Sequence, residues 1–349
     1  MKTKFSSYCI NGIANGCKFC VKGEKLVLFI TGKCPRNCYY CSLSSKRKNK
    51  DIVWANERVC KNANDAVEEA VESNAKGAGI TGGDPLFVLN RTLNYSKALK
   101  KKFGKKFHIH IYLPTNLVTM EKLKKLSNFI DEIRFHPRFL SMNINEKDVE
   151  NDINKIKSAN NYWKKQNIGI EMPSFPDRKK EIFDFIKKVS PFIGFVNLNE
   201  LEISDTNFDY MTKHYKLKKG GYVVSGSKEA GSWILEQCKK ENSKLNIHLC
   251  TAETKNRFQY TNRLRRHKIM PFGEKTKQGS VMYLVISPKD KDEEKKIRAL
   301  SKEVYYDNKK KRFILSKKAA IKLLDKHKIT KIEELPTYDN QEIYSEEIV

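Results

Sequence analysis

The sequence predicts an α/β protein, with a parallel sheet built from strand–helix units and a small α+β domain at the C-terminal end. Two observations carry this. From Leu26 onward, short apolar runs alternate with amphipathic stretches, the rhythm of βα units. After about Ser204 that rhythm weakens, and beyond the break at Pro271-Phe272-Gly273 strands and helices mix without it. The chain has 349 residues, enough for one large domain and an appendage.

The apolar runs place strands at 25–31, 78–81, 108–113, 132–135, 168–172 and 196–201. Helices fall between them at 64–76, 91–103, 120–129, 148–166 and 178–189. In the fourth of these, Val149, Ile153, Ile156 and Trp163 recur at helical spacing. Six units of this kind suit either a doubly wound sheet or a partial barrel. Further on, a helix is expected at 227–240 with Ser227 as its N-cap, a strand at 245–250, and a basic helix at 253–267. The C-terminal piece reads as a strand at 281–286, a helix near 292–300, a hairpin at 304–315 and a helix at 318–327. The expected domains are a Cys-rich segment at 1–24, the α/β core at 25–205, a basic α/β extension at 206–270, and the α+β domain at 271–349.

Straight after the first strand comes Cys34-Pro35-Arg36-Asn37-Cys38-Tyr39-Tyr40-Cys41. Three thiolates on one short loop can hold three irons of a cubane cluster and leave the fourth iron open. Zinc usually wants four ligands, often two close pairs, which this triplet does not supply. A disulfide reading fails on the odd count and the short loop. A second motif, Gly79-Ile80-Thr81-Gly82-Gly83-Asp84-Pro85-Leu86, ends the next strand. Alone it would be an ordinary turn.

In this order the two motifs resemble those of the radical SAM superfamily. The resemblance covers about residues 17–205. The run from Gly16 to Cys20, then Phe29 to Cys34, then Thr81 to Leu86, looks like a group of archaeal radical SAM proteins related to the pyruvate formate-lyase activating enzyme. The resemblance implies a partial (β/α)6 barrel and a [4Fe-4S] cluster held by Cys34, Cys38 and Cys41. It also implies S-adenosylmethionine (SAM), cleaved reductively to a 5′-deoxyadenosyl radical that abstracts hydrogen. Tyr40 would pack by the adenine, and Gly82, Gly83, Asp84 and Pro85 would hold the methionine end. The usual acid of that motif is Glu, so Asp84 is a departure that leaves direct contact by its side chain open. An electron donor of ferredoxin or flavodoxin type is implied as a partner.

Functional side chains of parallel α/β barrels gather at the C-terminal ends of strands. Arg134 is the candidate for the SAM carboxylate, because guanidinium binds carboxylate bidentately. Glu171 is the candidate for a ribose hydroxyl, with Asn197 and Asn199 beside it. His108 and His110 alternate with isoleucines and are expected to point inward as packed, hydrogen-bonded residues. No catalytic residue is assigned. Cys17-Lys18-Phe19-Cys20, with Cys9 and Cys250, is a candidate second metal site for an Fe–S cluster or zinc. Cys60 and Cys238 read as packed cysteines.

The balance of 68 Lys+Arg against 41 Asp+Glu gives a net charge of +27. Such a field attracts polyanions, so RNA, and tRNA in particular, is an expected substrate. A Lys-rich proteome would produce the same balance. The other readings are activation of a glycyl-radical partner protein, a small metabolite or peptide, and an Fe–S or zinc RNA-binding module without SAM chemistry. No apolar run approaches the length of a membrane span, and no secretion signal is legible. With nine cysteines this points to a cytoplasmic protein with metal or redox chemistry.

Overall fold

The computed structural model describes residues 1–300 and 302–348; Ser301 and Val349, both in the expected C-terminal domain, lie outside it. The chain divides into two units, one of Met1–Val71 and Ala75–Tyr260, the other of Glu72–Asn74 and the residues from Thr261 on.

The first unit is a ten-stranded sheet with helices between its strands. Its strands are β1 (Tyr8–Ile10), β2 (Lys25–Phe29), β3 (Val53–Ala55), β4 (Arg58–Cys60), β5 (Gly77–Thr81), β6 (His108–Pro114), β7 (Glu132–His136), β8 (Ile168–Pro173), β9 (Phe195–Asn199) and β10 (Asn246–Cys250). They run in the order β1-β10-β9-β8-β7-β6-β5-β2-β3-β4. From β2 to β10 every pairing is parallel, and the antiparallel β1 and the β3–β4 hairpin form the two edges. The sheet is therefore an open barrel with its flanks covered by short antiparallel strands, a common way of blunting an edge. The sequence closed the core at 205, yet β10 continues the same parallel sheet. The intervening segment carries two helices, Phe208–His214 and Ser227–Lys240, and thus supplies the crossover.

The helices of this unit are α1 (Asn15–Cys20), α2 (Ala63–Glu72), α3 (Leu89–Phe103), α4 (Met120–Ser127), α5 (Glu146–Ser158), α6 (Lys179–Val189), α7 (Phe208–His214) and α8 (Ser227–Lys240). Thr119 caps α4, and Asn145 with Asp148 forms a capping box that starts α5 earlier than its apolar spacing showed. Helix α5 also ends earlier than expected, continuing as two short 3₁₀ turns up to Asn167. Ser227 is not an N-cap. Gly226, with φ at 82°, takes that position. The Ser227 hydroxyl instead donates to the Ser174 carbonyl at 2.7 Å and accepts from Leu201 N–H at 2.7 Å, tying α8 to the ends of β8 and β9.

Alternation along each strand sorts its side chains. One face sends Ile109, Ile111, Ile133, Phe135, Ile168, Ile170, Val196, Leu198, Ile247 and Leu249 into the main core. The other face carries His108, His110, Tyr112, Glu132, Arg134, Glu171, Asn197, Asn199 and His248, in matched rows across the sheet. A face this polar, buried on the inside of a barrel, must pair its groups with one another.

In the second unit, the strands are β11 (Glu274–Lys275), β12 (Val281–Ile286), β13 (Val304–Asp307), β14 (Arg312–Leu315), β15 (Ile329–Glu334) and β16 (Glu342–Ile348). They form an antiparallel sheet in the order β13-β14-β12-β15-β16, with β11 beside β12. With α10 (Lys291–Arg298) and α11 (Lys317–Leu323), the succession from β12 to β15 is β-α-β-β-α-β, the split βαβ motif. The single basic helix expected at 253–267 is two elements, a π-helical stretch at Thr254–Tyr260 and α9 (Thr261–Arg266).

Several of the basic side chains have partners within the fold. Arg47 stacks on Phe29 and Trp54, Lys100 pairs with Asp131, and Arg312 is buried between Asp307 and Glu334. Among the described residues no helix is long and apolar enough to cross a membrane.

Candidate active site

A cavity of about 710 Å³ opens among the strand ends of the first unit and runs down the polar inner face. Its wall includes Val27 of β2, the first parallel strand, and Asn199 of β9, as well as Lys255 and Gln259 beyond β10. The sheet therefore wraps around a single space.

Cys34, Cys38 and Cys41 all stand on this wall. Arg36 fastens their loop to the end of β7. Its guanidinium donates to the carbonyls of His136 at 2.8 Å and Pro137 at 3.3 Å and to Ser141 Oγ at 2.9 Å. Burial pushes the Cys34 thiol up to about 11, while the Arg36 N–H, 3.4 Å from its sulfur, works the other way. Tyr40 is buried on the same wall, its ring against Phe175. The tautomer of its partner follows from geometry. His136 Nδ1 lies 2.9 Å from the Glu171 carbonyl, which can only accept, so Nδ1 carries the proton. Nε2 must then accept, and the Tyr40 hydroxyl donates to it at 2.9 Å. Burial lowers His136 to about 3, which keeps the ring neutral.

Gly82 and Gly83 form a backbone shelf on the wall, beside the cysteine loop. Gly82 has φ at 151°, and a Cβ there would run into the Thr31 carbonyl; one at Gly83 would run into that of Lys33. Gly83 N–H donates to Thr31 at 2.7 Å and Asp84 N–H to Lys33 at 2.8 Å. The glycines thus let two loops touch, a role the sequence reading gave to ligand approach alone. Asp84 turns away from the cavity. Its Oδ1 accepts from Leu86 N–H at 2.9 Å, and Oδ2 is buried without a partner. Burial raises its carboxyl to about 6. Pro85 likewise lies off the wall, its carbonyl accepting from Thr92 at 2.8 Å.

Below the loops lies a buried ionic network that the sequence did not reveal. Arg134 is 1% exposed and held by two carboxylates, Glu132 at 2.5 Å and Glu171 at 2.8 Å. Burial works against the Glu132 charge, but Arg134 and the Gly16 N–H outweigh it and hold the carboxyl below its ordinary value. The other oxygen of Glu171 accepts from Asn199 at 2.8 Å. Arg134 is therefore engaged internally and not poised for an incoming carboxylate, which corrects the expectation for it. Glu171 and Asn199 reach the cavity, whereas Asn197 sits deeper, accepting from His248 Nδ1 at 2.6 Å and from the Cys17 thiol at 3.6 Å. His108 and His110 point inward as expected: His108 meets Lys25 at 2.8 Å and His110 meets Tyr112 at 3.1 Å. Glu132, Lys25, Tyr112 and His248 were missed, although each occupies a polar position in the period-two pattern that exposed the two histidines.

The short helix α1 plugs this interior. Gly16 fits against Arg134, His110 and Glu132 so closely that any side chain would collide. Its two cysteines are neighbours of each other, and Cys250 lies within electrostatic reach of Cys20. Cys17 takes part in hydrogen bonds with Asn197 and Arg134, Cys250 accepts from Gln259 at 3.3 Å, Cys20 stands on the cavity wall, and Cys9 is on edge strand β1. Burial pushes Cys250 up to about 12 and Cys17 well up, the same effect that raises Cys34 on the loop. Among the described residues no three Cys, His, Asp or Glu side chains stand at metal-holding distance, and that holds equally for Cys34, Cys38 and Cys41.

The fold and the loop define a class. The chain belongs to the radical SAM superfamily, whose model matches residues 28–189. It is 40% identical, over 72% of its length and 67% of the relative's, to a protein of Methanocaldococcus jannaschii provisionally named a glycyl-radical enzyme activating enzyme. Among solved structures it is similar to anSMEcpe with bound AdoMet, at 14% identity over 64% of this chain and 62% of that one, with a TM-score of 0.41. It is also similar to the coproporphyrinogen III oxidase of Escherichia coli, titled a radical SAM enzyme, at 11% identity over 66% of this chain and 56% of that one, with a TM-score of 0.38. The chain thus spans about three fifths of the solved chains it matches. The superfamily uses a [4Fe-4S] cluster and SAM. The residues present suit both: three thiols share one wall, and a side-chain-free shelf adjoins them.

Proposed function

We propose that this protein is the activating enzyme of a glycyl-radical partner. Cys34, Cys38 and Cys41 would hold the cluster, and SAM would lie along the Gly82-Gly83 shelf toward Glu171 and Asn199. The observation that carries the reading is the 40% identity to the archaeal activating-enzyme relative, extending over most of both chains. When bound, the cluster would supply the electron for reductive cleavage of SAM, and the chemistry it would support is removal of a Cα hydrogen from a glycine of the partner, with 5′-deoxyadenosine and methionine as the products of SAM.

The chain's own residues have three tasks here. The Arg36 clamp fixes the cysteine loop against β7. The shelf offers backbone groups to the methionine end. The buried Arg134 network and Asn199 hold Glu171 in one orientation, so its carboxylate would meet SAM without rearranging. RNA as substrate is supported by net charge alone, whereas the relative's name points to a protein partner.

The test uses anaerobically reconstituted protein with SAM, dithionite and a glycyl-radical polypeptide from the same genome. The expected result is about four irons per chain, 5′-deoxyadenosine, and a glycyl EPR signal on the partner. Deoxyadenosine formation that depends on RNA and leaves the polypeptide unmarked would overturn the reading.

A further inference from the structure

Ser141 lies in the turn after β7, where its N–H donates to Arg138 at 2.6 Å. Arg138 is in turn anchored to the buried Asp152 of α5 at 3.0 Å, so the turn is braced against a helix. Ser141 Oγ meets Arg36 Nη2 at 2.9 Å, Cys38 Sγ at 3.9 Å and the Tyr40 hydroxyl. A guanidinium can only donate, so Ser141 accepts from Arg36. The hydroxyl keeps one proton, with Cys38 Sγ and the Tyr40 oxygen both in reach; a cluster-bound thiolate is charged and is the stronger acceptor of the two. A cluster-bound thiolate has no proton of its own, so the direction of this bond is fixed once the cluster is in place. Cys34 is served differently, by the Arg36 backbone N–H at 3.4 Å. One residue, Arg36, thus stands behind donors to two of the three loop sulfurs.

We propose that Ser141, polarised by Arg36, is a positioning residue that sets the reduction potential of the cluster through a hydrogen bond to Cys38. This rests on the reading of Cys38 as a cluster ligand. Donors to ligand sulfur stabilise the more negative, reduced cluster and raise its potential. The positive charge behind the donor strengthens that bond.

The test is EPR-monitored potentiometry on reconstituted Ser141→Ala, Ser141→Thr and Arg36→Gln proteins, with iron and sulfide measured on each. Ser141→Ala should be reduced three- to tenfold less at a fixed solution potential, tenfold being about 59 mV for a one-electron couple. Ser141→Thr, which keeps the hydroxyl, should return to the wild-type potential, and Arg36→Gln should fall in the same direction as Ser141→Ala. The potential is read on whatever cluster is bound, so partial iron loss does not blunt the test. Unchanged potential in Ser141→Ala would overturn the inference even if iron were lost, because Ser141 would then only pack the loop. A Cys38→Ala protein retaining a full, SAM-responsive cluster would instead refute the ligand assignment itself.

Discussion

Replacing Glu132 by Ala tests whether the buried network holds the barrel interior together. Glu132 is 1% exposed and accepts three bonds: from Gly16 N–H at 2.8 Å, Arg134 Nε at 2.8 Å and Arg134 Nη2 at 2.5 Å. Removing one partner of a buried ion pair costs about 3–5 kcal/mol, because the surviving charge is left under-compensated. Orphaning the Gly16 N–H would cost about 1–3 kcal/mol alone. The two losses share one network and do not add, and Glu171 still faces Arg134. The expected loss is therefore about 3–5 kcal/mol, a large share of the roughly 5–15 kcal/mol that holds a domain. It should appear first as release of α1, since Gly16 lies in the first turn of that helix beside Cys17. The assay is denaturant unfolding of the cluster-free protein combined with native-state thiol labelling read by mass spectrometry. If most of the loss falls on local opening, labelling of Cys17 should rise by two to three orders of magnitude, at about 1.4 kcal/mol per tenfold. Glu132→Gln, which keeps an acceptor for Gly16, should lose less. A Glu132→Ala protein within about 1 kcal/mol of wild type, with Cys17 still protected, would refute the reasoning and make the network incidental.

Three other outcomes are expected. Burial lowers Lys25 to about 7 from its ordinary 10.5; the unfolded chain then holds a proton that the folded chain has shed, so stability should rise between about pH 7 and 10. Lys25→Met should flatten that slope, worth on the order of 4 kcal/mol in full, in unfolding measured across pH; an unaltered slope would assign it to other groups. Cys38→Ala should lose the cluster absorbance and all 5′-deoxyadenosine formation, and retained cleavage of SAM would contradict the ligand assignment. Gly82→Ala should push the shelf off Thr31 and weaken SAM binding at least tenfold by calorimetry, while Gly221→Ala, which has only ordinary contacts and lies off the cavity wall, should leave SAM affinity unchanged.

The sequence by itself determined the class and the rhythm. A cysteine triplet and a Gly-Gly-acid-Pro turn are local, because cluster ligation and tight turns demand fixed residue types at fixed short spacing. Strands such as Glu132–His136 and Ile168–Pro173 were legible for the same reason, since a buried strand writes its two faces as alternating letters. Partnership is what the tertiary structure alone decided. Arg134 looked free for a ligand until the fold set Glu132 and Glu171 against it, one on its own strand and one on the next. Asp84 carried the right carboxylate, yet the turn points it at Leu86 and away from the cavity. Cys17 and Cys20 have the spacing of metal ligands, and only the fold shows that Cys17 meets Asn197 and Arg134 and that Cys250 comes within electrostatic reach of Cys20. The strand Asn246–Cys250 was recognised as a strand and not as a member of the barrel, because a crossover of some forty-five residues hides the βα rhythm. Spacing along the chain records what each residue can do, and only folding brings up the distant charges and hydrogen-bond partners that decide what it does.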